Sequence, residues 1–150
     1  MRFWRISNYA DLSGEGGRRF PARWHHAGRP IVYCAEHPAG TLTEHLVHLD
    51  WDLLPDRFQL LTLDVADGVR IDEIAPGTLP PDWRTDLAAT RAAGDRWLAS
   101  QSSLLCRVPS VILPGVHNVL INPAHPDMPK IIIAKAESVP LDGRLGPRRS

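Results

Sequence analysis

Apolar residues recur along this chain at two spacings, and the switches between them mark the elements. Residues 2–6 (Arg-Phe-Trp-Arg-Ile) and 30–35 (Pro-Ile-Val-Tyr-Cys-Ala) have the β-branched and aromatic content of short strands. Residues 38–49 change period: Ala39, Leu42, Leu46 and Leu49 fall at steps of three, four and three, one apolar stripe of a helix. Residues 58–65 return to strand character, and Asp-Val-Ala-Asp-Gly at 64–68 supplies a turn toward a paired strand at 69–72. After Pro80-Pro81-Asp82 a second helix is predicted over 85–100, with Leu87, Arg91, Gly94 and Leu98 on related faces and Gly94 as a local weak point. Three more strands are expected at 110–113, 119–121 and 130–136. Residues 11–28 read as a loop rich in Gly, Arg and aromatics. Strands in runs with few helices predict an α+β fold rather than a doubly wound sheet.

Composition narrows this picture. The 150 residues fit one domain with a real core, expected over 1–141, and the Gly, Pro and Arg of 142–150 suggest a flexible tail. No apolar run is long enough to cross a bilayer, and the N-terminus lacks a signal-peptide apolar region, so a cytoplasmic protein is expected, with no membrane partner. A net charge of zero argues against direct nucleic-acid binding, which draws on excess Lys and Arg. Only Lys130 and Lys135 are lysines. Arginine suits bidentate phosphate contacts, although a GC-rich genome gives the same bias. Cys34 and Cys106 are far apart and form no CxxC, which reads as two buried thiols.

Several residues carry candidate chemistry, each with a plainer alternative. Glu44 sits about 170° around the helix from the centre of the apolar stripe. Spacing alone therefore makes it a solvated carboxylate, pairing with His48 one turn on; otherwise that second face lines a cleft, where a carboxylate stabilises positive charge on a sugar. Arg23 and Trp24 end the glycine-bearing loop as a surface Arg beside a packing Trp, or as a phosphate grip. Arg18 and Arg19 would assist or be solvated. Tyr33 is a core residue of its strand, or stacks on a planar ligand. Ser110 lacks the Gly-x-Ser-x-Gly of a nucleophile elbow, so orienting a ligand or another side chain suits it better than attack. The loop glycines, Gly14-x-Gly16-Gly17, do not lie between a strand and a helix and so make no dinucleotide fingerprint. Among seven histidines, His45 and His48 match neither HExxH nor HxxEH, so no metal is expected, and His125 in Asn-Pro-x-His would fix a turn.

Read in order, these segments resemble the RES-domain family, named for an Arg, a Glu and a Ser. The resemblance covers residues 2–136. Its pieces are Arg23-Trp24 with Gly28, the strand Tyr33, Glu44 before Leu46-Val47-His48, and Leu79-Pro80-Pro81-Asp82-Trp83 with one residue more than the family pattern. Trp97-Leu98, Leu-Leu-Cys-Arg-Val-Pro-Ser at 104–110, and Asn-Val-Leu-Ile-Asn-Pro-Ala-His at 118–125 complete it. Two departures fall in the ligand loop: Ala22 stands where many members have Gly, and His25 where many have Asn.

The resemblance implies a fold similar to ADP-ribosyltransferase toxins of the diphtheria type, with NAD as substrate in a central cleft. It implies a catalytic set of Arg23, Glu44 and Ser110, and substrate contacts from Arg23, Arg5, Trp24, Tyr33 and Asn122. Cleavage of the nicotinamide–ribose bond is the expected reaction, in a toxin of a toxin–antitoxin pair. Water as acceptor would make it a glycohydrolase, inorganic phosphate a phosphorylase, and a protein side chain an ADP-ribosyltransferase. An Xre-like helix-turn-helix antitoxin is the expected partner, blocking the cleft, with a toxin homodimer inside the complex. Arg, His and Ser would also suit a ribonuclease toxin, against which the neutral charge counts. A non-enzymatic binding module is the remaining alternative.

Overall fold

Chain order runs β1 (Arg2–Ile6), α1 (Glu15–Arg19), β2 (Val32–Ala35), α2 (Pro38–Leu46), β3 (Arg57–Val65), β4 (Ile71–Glu73), α3 (Leu87–Ser100), β5 (Leu105–Pro109), β6 (His117–Ile121) and β7 (Ile131–Pro140). The structure, a computed structural model, describes residues 1–146. Among these, seven strands form one mixed sheet in the order β4-β5-β6-β2-β1-β3-β7. The expected α+β class is what the chain adopts. Asp142 caps a short 3-10 turn at Gly143–Leu145, and the rest of the expected tail, 147–150, lies outside the described residues.

Side-chain alternation along the inner strands divides the core between two faces. Val32 and Cys34 of β2, Leu105 of β5, and Val119 and Ile121 of β6 share one cluster with Phe3, Leu61, Leu63 and Ile131 from β1, β3 and β7. Their strand neighbours Cys106, Val108 and Leu120 join Trp24, Trp83, Trp97 and Leu98 in a second cluster, against α3. Burial on both faces explains why 104–109 and 119–121 read as unbroken apolar runs. Burial also pushes the thiols of Cys34 and Cys106 up to about 12, and both cysteines are free.

Three sequence expectations need correction. The segment around 69–72 does not form a hairpin with β3, because β1 and β7 occupy both edges of that strand. Instead β4 pairs in parallel with β5, and α3 forms the long connection that a parallel pair requires. The strand expected at 110–113 lies earlier, at Leu105–Pro109. Ser110 begins the connection to β6, with Pro114 and Gly115 (φ +79°) turning the chain. Finally, the loop at 11–28 contains α1, which starts from Gly14 in the left-handed region (φ +70°).

The helices are set by their caps. Nδ1 of His37 accepts from the Ala39 backbone N–H, and Pro38 opens α2 where its missing N–H costs nothing. Asp86 accepts from Ala89 N–H at 3.0 Å to start α3, and Gln101 ends it in the left-handed region.

α3 also fixes the loop that carries Arg23 and Trp24. Thr90 Oγ1 donates to the Arg23 carbonyl at 2.7 Å, and Arg91 Nε donates to the Ala22 carbonyl at 2.8 Å. Asp95 accepts from the His26 backbone at 3.1 Å. Gly94 makes this approach feasible: a Cβ there would lie 1.7 Å from the Trp24 carbonyl oxygen. Glycine is thus required by contact, not merely tolerated. From the other side, His25, fully buried, ties the loop to β2. Its Nε2 meets the Gly17 carbonyl at 2.7 Å, so Nε2 carries the proton and Nδ1 accepts. The Tyr33 hydroxyl donates to that Nδ1 at 2.8 Å and accepts from Trp24 N–H at 3.1 Å. Burial raises the pKa of the Tyr33 hydroxyl well above its ordinary value, which keeps it a donor.

Two outcomes follow. Gly94→Ala forces α3 off the loop and lowers unfolding free energy in urea by about 3 kcal/mol or more. Tyr33→Phe leaves Trp24 N–H and His25 Nδ1 without partners inside the protein, and the same measurement loses about 2 kcal/mol.

Candidate functional site

The cleft opens where the sheet is weakest. β1 and β2 are neighbours, yet Trp4 opposite Ala35 is the single register pair between them among the described residues. Arg5 bridges the gap beyond it, donating from Nη1 to the Tyr33 carbonyl at 2.9 Å. Its Nε is buried without a partner, and burial lowers its pKa from the ordinary arginine value. Above this seam lies a cleft of about 630 Å³, within the size range of small-molecule sites. Tyr33, Cys34 and Ala35 contribute from β2, α2 lines it with Thr41, Glu44 and His45, the turn after α2 with His48, and the loop and α3 with Arg23 and Arg91.

Glu44 is not the solvated carboxylate that its angular position suggested. It is half-buried, and no Glu44–His48 ion pair forms among the described residues. Ser110 Oγ donates to Glu44 Oε1 at 2.8 Å, and Asn118 Nδ2 donates to the same oxygen at 2.7 Å. Both donors sit on one oxygen, which leaves Oε2 for whatever enters the cleft. The stripe argument failed because α2 packs a polar face inward: Thr41 is its buried residue, and Ala39 is exposed. Ser110 is itself fixed, 4% exposed and accepting from Ile112 N–H at 3.1 Å. A hydroxyl spent on a carboxylate and a backbone amide is placed to orient a side chain and is not set up as a nucleophile.

Other predicted residues divide between cleft and core. Arg5, Arg23 and Tyr33 reach the cleft. The Tyr33 hydroxyl is engaged by Trp24 and His25, so the ring is what Tyr33 offers a ligand. Trp24 borders the cleft but is 2% exposed and packs against Trp83 at 6.2 Å between ring centroids. Asn122 is not brought there. It is buried, donating to the Leu98 carbonyl at 3.3 Å and accepting from Ala124 N–H at 3.1 Å, which ties the end of β6 to α3. His125 accepts from Asp127 N–H at 3.0 Å and fixes the turn, as expected. Of the two departures in the loop, His25 is a buried structural residue and Ala22 supplies a backbone carbonyl.

Sequence reasoning missed Asn118, Arg91 and His45 as cleft residues. Asn118 carried a signal, since it stands as a polar residue directly before the apolar Val119–Ile121 of β6. Its carbonyl Oδ1 is buried without a partner. The amide cannot be flipped, because Oδ1 would then face a carboxylate oxygen. Burial, and then the charge of His48, holds His45 below the usual imidazole range. The cleft thus collects three arginines and one carboxylate from a chain of zero net charge. Among the described residues no group of three or more His, Cys, Asp or Glu is placed to hold a metal ion, and no helix is long and apolar enough to cross a membrane.

Comparison with known proteins places this geometry. The chain is 44% identical over 147 residues to the protein named Toxin Res of Pseudomonas putida, covering 97% of this chain and 99% of that one. It is 39% identical to the Prs ADP-ribosylating toxin of a Sphingobium species, covering 95% of each. The fold is similar to a chain in the crystal structure of the M. tuberculosis MbcT-MbcA toxin–antitoxin complex, with a TM-score of 0.73, 19% identity, and coverage of 93% of this chain and 84% of that one. Residues 2–142 match the RES domain. That match takes in the strands, the loop and the helix that build the cleft, and the chain therefore belongs to the RES domain family.

Proposed function

We propose that this protein is the toxin of a bacterial toxin–antitoxin pair, and that it degrades NAD by cleaving the bond between nicotinamide and C1′ of the ribose. The observation that carries the reading is Glu44: a carboxylate held through one oxygen by Ser110 and Asn118, its other oxygen free, in a cleft where it is the one acidic side chain beside Arg5, Arg23 and Arg91. The relatives named as toxins, and the toxin–antitoxin complex that shares the fold, support the biological half of it. We read the fold, with its sheet splayed over the ligand cleft, as one of ADP-ribosyltransferase type.

The chemistry needs little from the protein beyond placement. The nicotinamide nitrogen is already cationic, so the C1′–N bond breaks with its electron pair going to nicotinamide, and no acid is needed. Positive charge develops on the ribose, and the free oxygen of Glu44 stabilises it from a fixed position. Arginines hold the diphosphate so that the reacting ribose meets that oxygen. The Tyr33 ring flanks the nicotinamide or its ribose. An acceptor oxygen then bonds to C1′ and gives up its proton. Water, phosphate and a protein side chain all satisfy this balance. We rank free-NAD loss first, and protein modification second because one relative is named for ADP-ribosylating Prs. Unrestrained NAD loss would poison the host, so an antitoxin, of Xre type on our reading, is expected to cover the cleft. A cytoplasmic location follows from that substrate.

Proton NMR of NAD with the purified chain tests the reaction. Nicotinamide release is expected, slowed about a hundredfold or more by Glu44→Ala. Dependence on added phosphate identifies a phosphorylase, and an equal rate without it a glycohydrolase. Intact NAD beside folded wild-type chain overturns free-NAD degradation and sends the search to protein ADP-ribosylation, then to RNA cleavage.

A double-mutant cycle tests how Glu44 is held. Because Ser110 and Asn118 donate to one oxygen, Ser110→Ala and Asn118→Ala are each expected to lower kcat about tenfold with KM little changed, and the double variant to lose less than the product of the two. Full kcat in both single variants would remove the positioning role.

A further inference from the structure

Two arginines line the cleft from neighbouring segments, and each is anchored on or beside the segment that carries the other. Arg23 stands on the loop before β2, and its Nη1 donates to the carbonyl of Arg84, in the approach to α3, at 3.1 Å. Arg91 stands on α3, and its Nε donates to the carbonyl of Ala22, beside Arg23, at 2.8 Å. Each anchor uses one of five guanidinium donors and fixes the direction of the rest. Thr90 Oγ1 on the Arg23 carbonyl and the glycine contact at Gly94 hold the two walls at a set distance.

Neither guanidinium meets a carboxylate among the described residues. Arg2 and Arg18 on the surface, and Arg107 on the sheet, are each paired with an acid. Two cations without ion-pair partners facing one cleft leave their charge available to an anion that enters it. The spread of the free donors across two elements suits two linked anionic groups better than one. Arg5 does not serve the same end, since it is largely buried and engaged with the Tyr33 carbonyl.

We propose that Arg91 and Arg23 form a clamp for the diphosphate of a nucleotide ligand, with Arg91 the prong that reads the second phosphate. The identity of the ligand rests on the NAD reading of the same cleft; the clamp itself rests on the anchors and on the absence of a carboxylate partner. Arg91 is then a substrate-binding residue on a helix face where periodicity alone read it as part of an ordinary amphipathic pattern.

Isothermal titration of the purified full chain with ADP and with AMP tests this without any turnover. Wild-type chain is expected to bind ADP more tightly than AMP. Arg91→Ala should weaken ADP about tenfold or more, with AMP changed less than about threefold, as for loss of a charge-assisted contact to one phosphate. Arg91 also anchors the loop, so Thr90→Val, which loosens the same loop and leaves both cations in place, is the control, and it should keep ADP affinity within about threefold. Equal loss of ADP and AMP in Arg91→Ala, an equal loss in Thr90→Val, unchanged ADP affinity in Arg91→Ala, or no ADP binding to folded wild type each overturns the clamp. Arg91-dependent ADP binding by a chain that leaves NAD intact upholds the clamp and refutes NAD degradation instead.

Discussion

Strands β1 and β2 lie side by side at the middle of the sheet, and one residue pair, Trp4 opposite Ala35, joins them. Backbone groups beyond that pair must find partners elsewhere or face solvent. The Tyr33 carbonyl finds Arg5, and the space the strands vacate becomes the floor of the cleft. The two halves of the sheet remain one body because Phe3, Leu61 and Leu63 on one side share a core with Val32, Val119 and Ile121 on the other. The opening therefore sits on a packed base, which is what a site needs if its groups are to hold position without a ligand.

Around that opening, ordinary packing contacts fix the chemical groups. Ser110 and Asn118 come from neighbouring strand ends and converge on one oxygen of Glu44. α3 grips the arginine loop through Thr90, Arg91 and the bare backbone at Gly94, while His25 and Tyr33 lock the same loop to β2. The loop carries few regular hydrogen bonds of its own, yet both of its neighbours hold it. Arg23 and Arg91 are tied to carbonyls rather than carboxylates, so they keep their charge available to the cleft in a chain that is neutral overall.

Much of this was legible in the order of residues. The α+β class, both longer helices, most of the strands and the buried thiols follow from period and composition. Of the residues of the family pattern, Arg23, Tyr33 and Glu44 line one cleft, and Ser110 reaches Glu44. Angular spacing on α2 pointed the other way for Glu44, because a helical stripe predicts burial only when the surface it meets is apolar. Asn122 was drawn toward the site by its motif, while its amide serves the backbone of Leu98 and Ala124. Asn118, four residues earlier on β6, does the work beside Glu44.

The sequence by itself determined what is local: where the chain turns, which segments are apolar on one or both faces, and which side chains have the chemistry to grip phosphate or steady a cation. Tertiary structure decided everything that depends on distant partners. It set β4 beside β5 rather than β3, because both edges of β3 were already taken. It turned a polar helix face inward, where Ser110 and Asn118 meet Glu44. It also brought Arg91 next to a loop nearly seventy residues away. Hydrophobic period is a property of neighbours along the chain, whereas a site is a property of neighbours in space, and only the packed sheet converts the one into the other.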